Sequence, residues 1–171
     1  MTRKYHKFLS ASLLAASLLM PVAAHAGAKL EGVFTDWSVY TKTESGERIC
    51  YVIAKPTTKT PSSVNHGDVY FMVSNWKSGA AKEQPSLLTG YQLKPEIAPS
   101  AQVGRTKIPM FAAQNEAFIE TGSDERKLVS NMRKGATMRV DAVSQRGTKT
   151  SYEFSLKGIT AALRKAKAVC G

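Results

Sequence analysis

Cys50, Cys170 and His66 have the most reactive side chains beyond position 26, and their spacing limits what they can do. A redox-active cysteine pair sits as Cys-x-x-Cys beside a strand–helix–strand unit, where a lowered pKa makes one sulfur a nucleophile. Here one cysteine lies in an early apolar segment and the other at the extreme C-terminus, which favours a structural disulfide over a reactive pair. His66 stands in a polar loop with Asn65, Gly67 and Asp68, and reads as a surface loop histidine. A lone histidine cannot build a multi-histidine zinc site. Without a Gly-x-Ser-x-Gly elbow it is a poor base for a serine triad. Carboxylates remain, but Asp36, Asp68, Asp124, Asp141 and Glu153 show no spacing that selects an acid–base pair. The expectation is no catalytic residue, no metal and no cofactor, with an envelope-modifying hydrolase using paired carboxylates as the alternative.

Cations are the other resource. Lys and Arg number 24 against 13 Asp and Glu, a formal charge of +11. Arg133, Lys134, Arg164, Lys165 and Lys167 fall on or beside two helical segments. They form one anion-binding face if those helices lie side by side; solvated helix ends are the competing reading. Trp37 and Trp76 are read as core aromatics, with a partner-anchoring role as the rival, closer for Trp76.

The first 26 residues decide which anions such a face can meet. Arg3, Lys4 and Lys7 precede an apolar run from Phe8 to Met20, followed by Pro21 and the small-residue triplet Ala24-His25-Ala26. That order is a secretory signal with cleavage after Ala26, and the run is short of the ~20 residues a membrane span needs. Cleavage removes three cations, no carboxylate and two of the three histidines, leaving residues 27–171 at +8. Export turns the basic surplus away from nucleic acid and towards lipopolysaccharide, lipid headgroups or glycans; solubility alone is the plainer reading. An oxidising compartment suits a Cys50–Cys170 staple. No later segment reads as a transmembrane span.

Elements that would position these residues follow from periodicity. Gly32–Tyr40 reads as a strand with Val33, Trp37 and Val39 on one side, turning at Thr43–Gly46 into Arg48–Ala54. Pro56–Gly67 is a loop, Val69–Ser74 a central strand, Ser78–Pro85 a loop and Leu87–Leu93 a strand in which Gly90 marks a bulge or close packing. Lys94–Pro109 is irregular or edge structure, and Met110–Ala113 and Ala117–Glu120 are short strands about a turn at Gln114-Asn115. Ser123–Lys134 changes to a helical period, with Leu128, Val129 and Met132 as its stripe, Ser123 as N-cap and Gly135 as C′ residue. Thr137–Val143 and Thr150–Leu156 form the clearest hairpin, and Ile159–Val169 a closing helix. Many short strands with two helices in the C-terminal third predict a mainly β chain, a β-sandwich in one domain over 27–171. The strands are too short and interrupted for a lipid-facing barrel.

Residues across nearly this whole span resemble the invasion-associated locus B family. The resemblance is carried by Asp36-Trp37, by the strand around Cys50, and above all by Met132–Cys170 (MRKGATMRVDAVSQRGTKTSYEFSLKGITAALRKAKAVC). In that block Lys134-Gly135, Arg146-Gly147-Thr148, Ser155–Leu163 and the terminal Cys170 match the family pattern. One departure is Tyr40-Thr41, where many members have a further cysteine. The resemblance implies an immunoglobulin-like β-sandwich from the envelope of alphaproteobacteria, periplasmic or surface-associated and linked to host-cell invasion. The expected function is non-enzymatic binding of an envelope or host-surface component. An accessory role in envelope assembly, through an exposed strand edge, stays open beside it.

Overall fold

A computed structural model describes residues 27–171; the segment expected to be an export signal, residues 1–26, lies outside the described residues. Among the described residues, twelve strands and two helices follow one another. They are β1 (Lys29–Phe34), β2 (Trp37–Glu44), β3 (Glu47–Ala54), β4 (Thr58–Thr60), β5 (Tyr70–Trp76), β6 (Gln84–Leu88), β7 (Ser100–Val103), β8 (Thr106–Pro109), β9 (Phe111–Ala113) and β10 (Glu116–Phe118). After these come α1 (Gly122–Met132), β11 (Thr137–Val143), β12 (Lys149–Ser155) and α2 (Ile159–Cys170). A seven-stranded sheet runs β1-β2-β3-β5-β6-β10-β9 and a five-stranded sheet β4-β12-β11-β7-β8, every pairing antiparallel. The chain is a mainly β sandwich, as its patterning predicts.

Alternation builds the core. Trp37 and Val39 on β2, Val52 and Ala54 on β3, and Phe71 and Val73 on β5 face Met138, Val140, Tyr152 and Phe154 of the second sheet in one buried cluster. Phe71 and Phe154 meet across it with ring centroids 5.7 Å apart. Beyond the reach of the second sheet, α2 covers β1, β2, β3 and β5 with Ile159, Ala162, Leu163 and Ala166. The Cys50–Cys170 disulfide joins its last turn to β3. α1 packs Leu128, Val129 and Met132 where β6 of one sheet meets β7 and β8 of the other.

Several elements differ from the sequence reading. Gly32–Tyr40 is not one strand: the chain reverses at Thr35-Asp36, Phe34 pairs with Trp37, and Val33 is left 62% exposed. Gly158 supports that reversal, since a Cβ there would lie 2.0 Å from the Phe34 carbonyl oxygen. The expected loop at Pro56–Gly67 contributes β4 to an edge, and β7 and β8 form a hairpin within Lys94–Pro109. β6 starts earlier than expected, at Gln84. Pro85 is tolerated there because β10 pairs only from Ser86 onward, so no ladder bond is asked of Pro85 on that side. The N-cap of α1 is Thr121 rather than Ser123, its Oγ1 accepting from the Asp124 N–H at 3.2 Å. Gly135 is demanded by packing, not by a left-handed turn: a Cβ there would sit 2.5 Å from Val103 Cγ1.

Candidate functional site

Helical spacing makes one wall of a groove. Thr160, Leu163-Arg164, Lys167 and Cys170 recur every three or four residues, so they share a stripe of α2 beside the face that packs on the sheet. On α1, Gly122, Glu125-Arg126 and, past its end, Arg133 form the facing wall. The end of β5, with Asn75 and Trp76, and the β5–β6 connection, with Lys77, Lys82 and Glu83, close the end. Together they bound an open groove of about 790 Å³. The walls touch where Thr160 Oγ1 donates to the Arg133 carbonyl at 3.4 Å.

Its electrostatics are one-sided. Lys77, Lys82, Arg126, Arg133, Arg164 and Lys167 line it against the side chains of Glu83 and Glu125. Arg133 pairs with Glu83; among the described residues the other five cations make no ion pair with a carboxylate side chain. Burial holds the Glu125 carboxyl above its usual range, which a hydrogen bond with Gln84 and the charge of Arg126 only partly offset. Asn75 is held by its Oδ1, which accepts from the Glu83 N–H at 3.0 Å. Its Nδ2 is buried without a partner.

The groove gathers three of the five expected cations, Arg133, Arg164 and Lys167. Lys134 is exposed outside it, and Lys165 turns towards β1, where its charge helps lower the Glu31 carboxyl behind the larger effects of Thr41 and Lys29. Sequence reasoning missed Lys77, Lys82, Arg126 and Asn75. The helical offset from Thr160 to Lys167 could have pointed to the α2 wall, but nothing local brings the β5–β6 connection to it. Trp37 is core, fully buried, with its indole N–H donating to the Ser155 carbonyl at 2.9 Å. Trp76 is not: the end of β5 leaves it 38% exposed at the groove.

His66 is likewise not a surface residue. It is 6% exposed, its Nε2–H donating to the Pro61 carbonyl and its Nδ1 2.9 Å from the Tyr152 hydroxyl. Tyr91 Oη lies 2.7 Å from both Tyr152 Oη and Thr150 Oγ1, and Thr150 donates to the Ala142 carbonyl at 3.2 Å. Gly90 makes this burial feasible, since a Cβ there would come within 2.7 Å of Gly67 Cα. The network carries no carboxylate, so it is a polar strut under the 61–67 loop. Asp141 and Glu153 share the outer face of the β11–β12 hairpin with Arg139, which pairs with Asp141 at 2.8 Å and stands cross-strand from Glu153. Asp36 lies in the β1–β2 turn, Asp68 in the loop before β5 and Asp124 on α1. No group of three His, Cys, Asp or Glu side chains suited to a metal occurs among the described residues. No described helix is long and apolar enough to cross a membrane.

Compared with known proteins, residues 37–167 match the family model described as Invasion associated locus B (IalB) protein. No curated protein and no solved structure matches the chain.

Proposed function

The chain belongs to the invasion associated locus B family, and from that premise we propose that it is an exported, non-enzymatic envelope protein that binds an anionic component in the groove between α1, α2 and the β5–β6 connection. In this reading residues 1–26 are removed and 27–171 act as one domain, in the periplasm or at the cell surface. The family links such proteins to invasion, and a bound envelope or host-surface component is how a binding domain would contribute to it. The observation that carries the reading is the five cations without a carboxylate side-chain partner on a single groove. Cations spread for solubility would be as common elsewhere and would not converge from three elements. The Cys50–Cys170 disulfide supports an oxidising compartment.

Binding of the purified protein to lipopolysaccharide or anionic vesicles tests this. Affinity should fall as salt rises, and Arg164→Gln with Lys167→Gln should weaken it about tenfold at low salt. Binding indifferent to both would remove the groove from function. A second reading, an accessory factor in envelope assembly, is favoured by β1. This edge strand presents Leu30, 50% exposed, and Val33 where a client strand could add. A proline placed in β1 that abolished partner capture would favour it.

A further inference from the structure

We infer that the outer face of the seven-stranded sheet is the contact surface for a second copy of this chain, packed face to face about a two-fold axis along β5. Register defines the face. From Val33 on β1 and Ser38 on β2, cross-strand partners run through Ile53, Met72 and Ser86 to Phe118 on β10 and Phe111 on β9. Alongside, on the same side of the sheet, Leu30, Tyr40 and Tyr51 make a second row, with the two tyrosine rings stacked at 5.7 Å. The core, α2 and the Cys50–Cys170 disulfide lie on the opposite side, where Val39, Val52 and Val73 point. Aromatic and methionine side chains with few charges are what the centre of a protein interface is made of. The two edges of the row are its most open part: Val33 is 62% and Phe111 47% exposed.

Symmetry and charge select the occupant. β5 is the middle strand of the sheet, so a two-fold axis along it lays β1 over β9 of the copy, β2 over β10 and β3 over β6. Within the row, Val33 then meets the copy's Phe111, Ser38 its Phe118 and Ile53 its Ser86, while Met72 meets Met72. In the second and third of these pairs a large side chain falls on a serine, which is how stacked sheets interdigitate. A contact of this kind is self-complementary and closes after two copies. The face is about 29 Å wide, from six strand spacings of about 4.8 Å, and about 20 Å long. That is on the scale of the ~800 Å² per partner that stable dimers bury. Residues 27–171 carry a surplus of positive charge. On the strands of this face, however, Lys42 is ion-paired with Glu44 at 2.6 Å, and Glu47 and Glu116 stand beside it. Among the described residues these strands offer no free cation there to draw an anionic membrane. A second copy meets in this face none of the surplus that repels the rest of the chain.

Sedimentation equilibrium of the purified protein, with its disulfide intact, tests this. A monomer–dimer equilibrium is expected below about 100 μM. Val33→Lys and Phe111→Glu change exposed edge positions that the core does not depend on. Each alone should weaken the dimer about tenfold or more. Together they should restore it, because the two-fold axis sets position 33 against position 111 of the copy. Within one chain the two positions stand at opposite edges of the sheet, so the rescue can arise only between copies. A protein that stays monomeric at about that concentration overturns the inference. If such a monomer binds neutral phosphatidylcholine vesicles and Val33→Lys releases it, the face belongs to a lipid surface instead. A dimer that survives both single changes overturns the assignment to this face. A double variant no better than either single one overturns the two-fold axis along β5.

Discussion

Tyr152 and Glu125 show how burial changes what a side chain does. The Tyr152 hydroxyl bridges His66 and Tyr91, and burial, reinforced by Tyr91, pushes its pKa far above the usual tyrosine range. It stays neutral at any working pH and serves as a fixed hydrogen-bond link. Tyr152→Phe keeps the ring but strands the His66 Nδ1, so denaturant unfolding should show a loss of about 1–3 kcal/mol, with vesicle binding unchanged. For Glu125, burial raises the folded pKa above its unfolded value. Its contribution to stability is therefore full in acid and is lost as pH rises through the folded pKa. Glu125→Gln should leave stability unchanged in acid and raise it slightly at neutral pH, while tightening anion binding; a parallel pH profile for parent and variant would contradict this. Neither environment was legible in the sequence. Ser62, Ser63, Asn65 and Gly67 read as surface loop whether or not His66 is folded under them, and only Gly90, distant in sequence, decides it.

Elements that bury one face were legible, and those that do not were not. The β11–β12 hairpin and α2 show clean periods of two and 3.6 because each presents a single face to the core. β4 is Thr-Lys-Thr at an edge with little burial, so its strand character comes from pairing with β12 and leaves no pattern. The β1–β2 reversal was hidden for another reason: Thr35 takes a positive φ without a glycine to announce it. Its support is Gly158, at φ 90° and against the Phe34 carbonyl oxygen. Gly158→Ala combines left-handed strain with that clash, so a loss of about 2–5 kcal/mol is expected in thermal or denaturant unfolding. An unchanged midpoint would mean that the β1–β2 hairpin moves away at no cost. The groove's α2 wall was half visible in the spacing of Arg164 and Lys167. Its other walls were not, since they exist only once α1 and the β5–β6 connection are docked.

At the scale of the molecule, one covalent bond ties the last helix to the first sheet across 120 residues. Restraining so long a loop in the unfolded chain contributes about 4–5 kcal/mol on the chain-entropy account. Reduction, or Cys50→Ser with Cys170→Ser, should lower stability by that order and loosen α2 from β3. The groove would then lose its α2 wall, so lipid binding should weaken together with stability. Cys170 is, on this account, what holds the cationic stripe in place. The most direct measurement of whether that stripe meets an anionic envelope component is photocrosslinking in the native envelope. One probe at Arg164 in the groove is compared with another at Tyr51 on the outer face of β3. The account predicts an adduct with an anionic envelope component, lipid or glycan, from position 164 and none of that kind from 51. Equal adducts of that kind from both, or an adduct with a different protein from 51 alone, would contradict it.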